Sequence, residues 1–157
     1  MDKITLQRIQ TAHPKLRAEL SKIYEEICTA LTGLAICRFA YVLRTFKEQD
    51  ELFAKRPIVT KARGGQSYHN YGLAVDIVLI TNNGKEASWD TVKDFDGDRT
   101  SDWMEIVTIF KKYGWAWGGD WNFKDDPHFE KTLGFTWREL LAIHESGKVD
   151  KEGYVII

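Results

Sequence analysis

Three residues of this chain could together hold a reactive metal: His69, Asp76 and His128. Asp76 interrupts Leu73-Ala74-Val75-Asp76-Ile77-Val78-Leu79-Ile80, an otherwise unbroken apolar run that reads as a strand. A carboxylate among such neighbours costs several kcal/mol unless it is paired or takes up a proton, so something positive must meet it. His69 precedes it in Ser67-Tyr68-His69-Asn70-Tyr71-Gly72, at the mouth of the same strand, and His128 stands on a short strand between Pro127 and Phe129. Two imidazoles and one carboxylate form a donor set of catalytic zinc, with a fourth position left for water that the metal would turn into a nucleophile. Each residue also has a plainer reading. A histidine beside aromatics is more often a hydrogen-bonded core or surface residue, and a buried aspartate can cap a turn or pair with an arginine. His13 and His144 have no comparable context and receive no role.

A second group of oxygen donors lies in Asp94-Phe95-Asp96-Gly97-Asp98-Arg99-Thr100-Ser101-Asp102-Trp103-Met104-Glu105. Asp94, Asp96, Asp98, Thr100, Asp102 and Glu105 occupy the ligand positions of an EF-hand loop. Arg99 stands where the sharp turn calls for glycine, and Ser101 where an apolar residue is usual. The loop is therefore a candidate calcium site that could order a lid beside the zinc cleft. Its plainer reading is a solvated acidic loop in which Asp102 caps a helix and Glu105 sits at the third position.

The elements that must position these groups are legible in outline. Pro14 can open a helix whose Leu16, Leu20, Ile23, Ile27 and Leu31 recur at spacings of three and four, closed by Gly33. A strand follows over 36–43, then a capping box at Thr45-Phe46-Lys47-Glu48 predicts a helix to about Lys55. The irregular stretch 56–72 is long for a connection, which suits a functional loop. The strand over 73–80 ends at Asn82-Asn83-Gly84, a helix is expected over 103–113, and two short strands flank a turn within 115–130. Thr136-Trp137-Arg138-Glu139 is a second capping box, opening a last helix that ends near Gly147. This order predicts an α+β fold, a small, largely antiparallel sheet with flanking helices.

Length and composition narrow the function. A chain of 157 residues fits one domain over 1–157, with no repeat or linker to suggest a separate cell-wall-binding domain. The net charge of −1 and the lack of a basic run argue against nucleic acid. No stretch nears the roughly 20 apolar residues that span a bilayer, so no stable membrane insertion is expected. The opening residues lack the apolar segment of a secretory signal, which predicts residence in the cytoplasm where the chain is made until it is released. Cys28 and Cys37 read as small buried thiols. Trp115, Trp117 and Trp121 crowd into seven residues, as in a core or a cleft wall.

The segment Ser67-Tyr68-His69-Asn70-Tyr71-Gly72-Leu73-Ala74-Val75-Asp76 fits S-x-H-x-x-G-x-A-x-D, and Asp125-Asp126-Pro127-His128 fits a downstream D/E-x-x-H. Together, in this order, they resemble the zinc D-alanyl-D-alanine carboxypeptidases and L-alanyl-D-glutamate peptidases, with Lys61–Ile77 most similar to the phage endolysin branch. The resemblance implies a hedgehog/DD-peptidase-like fold, with His69, Asp76 and His128 as zinc ligands. It also implies Asp125 as the general base, Arg44 in Leu43-Arg44-Thr45-Phe46 as the oxyanion partner, and Ser67 as a substrate-binding or supporting hydrogen-bonding residue. Asp126 stays open as an alternative base and Arg63 as an alternative oxyanion partner.

The expected function is then zinc-dependent hydrolysis of peptidoglycan stem peptides at the L-alanyl-D-glutamate bond, by a monomeric phage-type lysin acting on the host wall. A D-alanyl-D-alanine carboxypeptidase or dipeptidase shares the same motifs. A non-catalytic zinc domain that binds cell wall is the reading from a different class, and it would need neither Asp125 nor Arg44.

Overall fold

The computed structural model describes residues 1–157. Its elements run α1 (Lys3–Ile9), α2 (Arg17–Ala30), β1 (Ile36–Tyr41), α3 (Phe46–Ala54) and β2 (Ala74–Thr81). They continue with β3 (Glu86–Ser88), α4 (Asp102–Lys112), β4 (Ala116–Trp117), β5 (His128–Glu130) and α5 (Trp137–Glu145). The result is the expected α+β arrangement around an antiparallel sheet.

β2 is the axis of that sheet. β1 pairs along one edge, from Ile36 opposite Ile80 to Phe39 opposite Ile77. The other edge is shared: β5 takes its first half, with Asp76 opposite His128, and β3 its second, with Leu79 opposite Ser88. β4 lies outside β5. One irregularity matters for the site. Tyr41 pairs with Asp76 although Phe39 pairs with Ile77, so Ala40 is an extra residue that bulges β1. Bulges sharpen the local twist and re-aim the residues beyond them.

Side chains alternate along β2. Val75, Ile77 and Leu79 enter the main core with Leu20, Ile23, Tyr24 and Ile27 of α2 and Trp103, Ile106, Val107 and Phe110 of α4. Phe110 stacks on Phe129 with ring centres 4.2 Å apart. Asp76 belongs to the other face, turned away from this helical layer. The apolar run that reads as one buried strand thus has two faces of different use.

The capping box of α5 is complete, with Thr136 and Glu139 capping reciprocally, whereas that of α3 forms only in half: Thr45 Oγ1 accepts from the Glu48 amide, and it is the Thr45 hydroxyl, not its amide, that donates to the Glu48 carboxylate. Several boundaries differ from the sequence reading. The second helix opens at Arg17 rather than Pro14, because the preceding residues turn so that the His13 amide can donate to the Gly72 carbonyl. The short α1 was not expected, nor was β3, which forms because Asn82 and Asn83 both adopt left-handed backbone (φ 51° and 53°) and fold a hairpin. Asp102 does not cap α4. Ser101 does, accepting from the Met104 amide, while Asp102 is the first helical residue and is fully buried. No helix is long and apolar enough to cross a membrane.

Candidate active site

The segment before β2 folds to deliver His69. Ser67 accepts from the His69 amide at 3.3 Å and Asn70 returns the bond to the Ser67 amide at 3.2 Å, closing a single 3-10 turn over Tyr68–Tyr71. Gly72 ends the turn in left-handed backbone (φ 70°), and a Cβ there would lie 2.4 Å from the His13 nitrogen. No other residue satisfies both conditions without strain. Ser67 and Gly72 thus have a structural reason to accompany His69.

Three donors converge. His69 Nε2 is 3.2 Å and His128 Nδ1 3.1 Å from the same Oδ1 of Asp76, and one donor atom from each residue lies within 4.8 Å of the others. His69 Nε2 is buried with no hydrogen-bond partner, although its Nδ1 is 2.8 Å from the Val42 carbonyl. An imidazole nitrogen left bare beside a carboxylate suits a metal ligand. Asp76 is not sealed: 21% of its side chain is exposed, opening into the cleft.

The electrostatics fit a cation as well. Burial would raise the Asp76 carboxyl, but the His128 and His69 imidazoles beside it hold it well below the usual carboxylate range. Burial would lower His128, yet Asp76 and Glu130 on its two sides push it up to about 9. The cluster therefore holds positive charge between its carboxylates, and a divalent ion at His128 Nδ1 would take the place of that proton. The three residues fit a zinc ion by donor type, by convergence and by charge.

Arg44, Ser67 and Asp125 line the same cavity of about 380 Å³ as the three donors. Arg44 Nη2 lies 3.9 Å from Asp76 Oδ2, and its guanidinium sits over Tyr41. Asp125 is on the rim. Loss of solvent on its cleft side raises its carboxyl, with His128 opposing and Asp76 adding to the rise. Asp126 is not among the cavity residues, and its carbonyl accepts from Trp117 Nε1. Arg63 is exposed and rests over Phe53. Of the crowded tryptophans, Trp115 is core and Trp121 flanks the site, 5.3 Å from the His128 ring.

Two polar residues had escaped the sequence reading. Glu130 Oε1 meets His128 Nε2 at 2.8 Å, and buried Gln49 accepts from Arg44 at 3.0 Å. The first could have been found from its place two residues beyond His128 on one strand face. The second had no visible signal.

In the acidic loop, donors from Asp94, Asp96 and Asp102 form one group and those from Asp96, Asp98 and Glu105 another. Arg99 adopts φ 76°, the left-handed backbone for which an EF-hand uses glycine. Thr100 is exposed, and its amide donates to Asp98. Asp102 Oδ2 and Glu105 Oε2 are buried without partners. Burial, then Asp98, Asp96 and Asp102, push Glu105 up to about 7.

Residues 60–131 match the family model described as D-alanyl-D-alanine carboxypeptidase. That segment carries all three donors. The peptidoglycan L-alanyl-D-glutamate endopeptidase CwlK of Bacillus subtilis (strain 168) is 53% identical over 93 residues, 55% of each chain. This chain thus spans about half the length of that curated relative. The crystal structure of the Serratia marcescens L-Ala D-Glu endopeptidase ChiX matches with a TM-score of 0.56 at 21% identity, over 85% of this chain and 90% of that one. This second likeness places the fold with that of ChiX.

Proposed function

We propose that the protein is a zinc peptidase that hydrolyses the L-alanyl-D-glutamate bond of peptidoglycan stem peptides. The observation that carries this reading is the meeting of His69 Nε2 and His128 Nδ1 on Asp76 Oδ1 in a cavity that also holds Arg44 and Asp125. The likeness to CwlK supports the choice of bond. Zinc, when bound, supplies a Lewis acid and a lowered pKa for water in its open position. Asp125 accepts a proton from the attacking water and returns it to the leaving amine, a task suited to a carboxyl raised by its surroundings. Arg44 offers a permanent positive charge to the oxyanion that develops on the attacked carbonyl. Ser67 holds the turn that carries His69 and shares the cleft.

Digestion of purified peptidoglycan with zinc-loaded protein, followed by mass analysis of the new ends, tests this directly. Stems ending in L-alanine, with matching new D-glutamate amino termini, are expected. Release of D-alanine alone would replace the reading with a carboxypeptidase, and binding without cleavage would replace it with a non-catalytic wall-binding domain. Use as a lysin belongs to the same proposal. It predicts that sacculi suspensions clear when the zinc-loaded chain is added.

For the acidic loop we infer a calcium site, supported by the buried, unpartnered Asp102 Oδ2 beside Asp94 and Asp96 and by the backbone of Arg99. A hard cation would satisfy oxygens that nothing else meets. Calcorimetric titration of calcium should show one site in the wild type and none in Asp102→Asn. No binding at millimolar calcium would refute the assignment.

A further inference from the structure

Glu130 lies two residues beyond His128 on β5 and so projects from the same face. Its cross-strand neighbours are Ala74 on β2 and Ala116 on β4, the smallest side chains that still favour regular backbone. Between them the carboxylate has room to reach His128 Nε2 at 2.8 Å, with only 14% of its side chain exposed. The alanine of the S-x-H-x-x-G-x-A-x-D motif thereby acquires a reason: it stands opposite Glu130.

The two histidines approach Asp76 through different nitrogens. His69 presents Nε2, because its Nδ1 faces the Val42 carbonyl at 2.8 Å. His128 presents Nδ1, because its Nε2 faces Glu130. A carbonyl and a carboxylate can only accept, so each obliges the ring nitrogen it meets to carry hydrogen. With a metal ion in place of the proton at His128 Nδ1, the opposite nitrogen of each neutral ring would offer its lone pair at the point where the donors converge. Glu130 is not itself placed as a ligand, since it lies on the far side of the His128 ring from that point.

We propose that Glu130 is a positioning residue that fixes the ring and tautomer of His128, so that Nδ1 faces the metal, while the Val42 carbonyl fixes the opposite choice in His69. A carboxylate behind an imidazole also makes it a stronger donor than a carbonyl does. The inference rests on the metal-site reading above but not on the reaction, and its test uses no peptide substrate. Failure here is therefore distinct from failure of the peptidase assay.

The test is carried out on the full chain. In zinc-loaded wild type, nitrogen-15 imidazole spectra should show His128 metallated at Nδ1 and protonated at Nε2, and His69 the reverse. Metallation of His128 at Nε2 would overturn the proposal with no mutant needed. Zinc affinity, measured by competition with a chromophoric chelator, should weaken about 10–100-fold in Glu130→Ala. Glu130→Gln keeps an accepting oxygen and should stay within about 10-fold of wild type, with the His128 Nε2 proton retained. Wild-type affinity in Glu130→Ala would overturn the proposal. So would a Glu130→Gln protein that folds but has lost the Nε2 proton, a reading that stands even if the alanine variant does not fold.

Discussion

Arg44 donates through Nη1 to Gln49 Oε1 at 3.0 Å, and Gln49 in turn donates through Nε2 to the Ala62 carbonyl at 2.9 Å. Gln49 is the one buried residue of α3. One amide thus ties the guanidinium of the cleft to the long loop that follows α3. Replacing it with leucine leaves donors on Arg44 and an acceptor on Ala62 without partners, a cost of about 1–3 kcal/mol. Gln49→Leu is expected to lower kcat about 10-fold or more with zinc content unchanged, because Arg44 is released while the ligands are not. Arg44→Lys should lose about 100-fold, since an ammonium cannot reproduce the fork that Gln49 holds. Steady-state kinetics with zinc stoichiometry measure both, and undiminished kcat in Gln49→Leu would remove the amide from the mechanism.

Asp125 and Asp126 are neighbours that the cleft treats differently, since only Asp125 lines it. Asp125→Asn should keep zinc and lose about 100-fold or more in turnover, as expected for removal of a general base. Asp126→Asn should fall within a few-fold of wild type. The reverse ranking would transfer the base to Asp126.

Gly72 meets two demands at once, a φ of 70° and an approach that puts a built Cβ 2.4 Å from the His13 nitrogen. Gly72→Ala is expected to destabilise the fold by about 1–3 kcal/mol from backbone strain alone, and further from displacement of His13. Urea unfolding of the metal-free protein reads the loss. A change below about 0.5 kcal/mol would show that the turn relaxes freely.

Asp2 joins α1 to the sheet. It caps the helix through the Thr5 amide and pairs with Arg38 Nε and Nη2 at 3.1 and 2.9 Å. Burial would raise its carboxyl, but the hydrogen bonds from Arg38 and Thr5 bring it below its ordinary 3.8. A carboxyl depressed by folding stabilises the native state above its unfolded pKa and loses that contribution as pH falls through the folded value. Asp2→Ala should therefore cost about 2 kcal/mol at pH 7, and the gap from wild type should close as the pH falls below 3.8. Urea midpoints at pH 7 and pH 3 measure it, and an equal gap at both would assign the effect to packing.

Much of the site was legible because its residues sit in settings that ordinary sequence does not produce. Asp76 interrupts an apolar strand, and the two capping boxes mark helices whose starts are where Thr45 and Thr136 place them. What escaped was decided by tertiary contact. α1 has seven residues, and its Ile4 and Leu6 are partly exposed, so no apolar period announces it. The cap of α4 passed from Asp102 to Ser101 because Asp102 is drawn inward to accept from the Phe95 amide. Glu130 and Gln49 are ordinary polar letters on short elements. Only the pairing of β5 and the burial of α3 give them work.

The bulge at Ala40 gives the site a parity. Tyr41, under the Arg44 guanidinium, and Val42, whose carbonyl holds His69, lie just beyond this one uncounted residue. Removing Ala40 would let the ladder run straight and turn the residues after it to the opposite face. The chemistry would be lost although every reactive side chain remained in the chain. An exchange of Ala40 for another small residue, by contrast, keeps the count and so keeps the cleft. At this strand the cleft is specified less by spelling than by arithmetic.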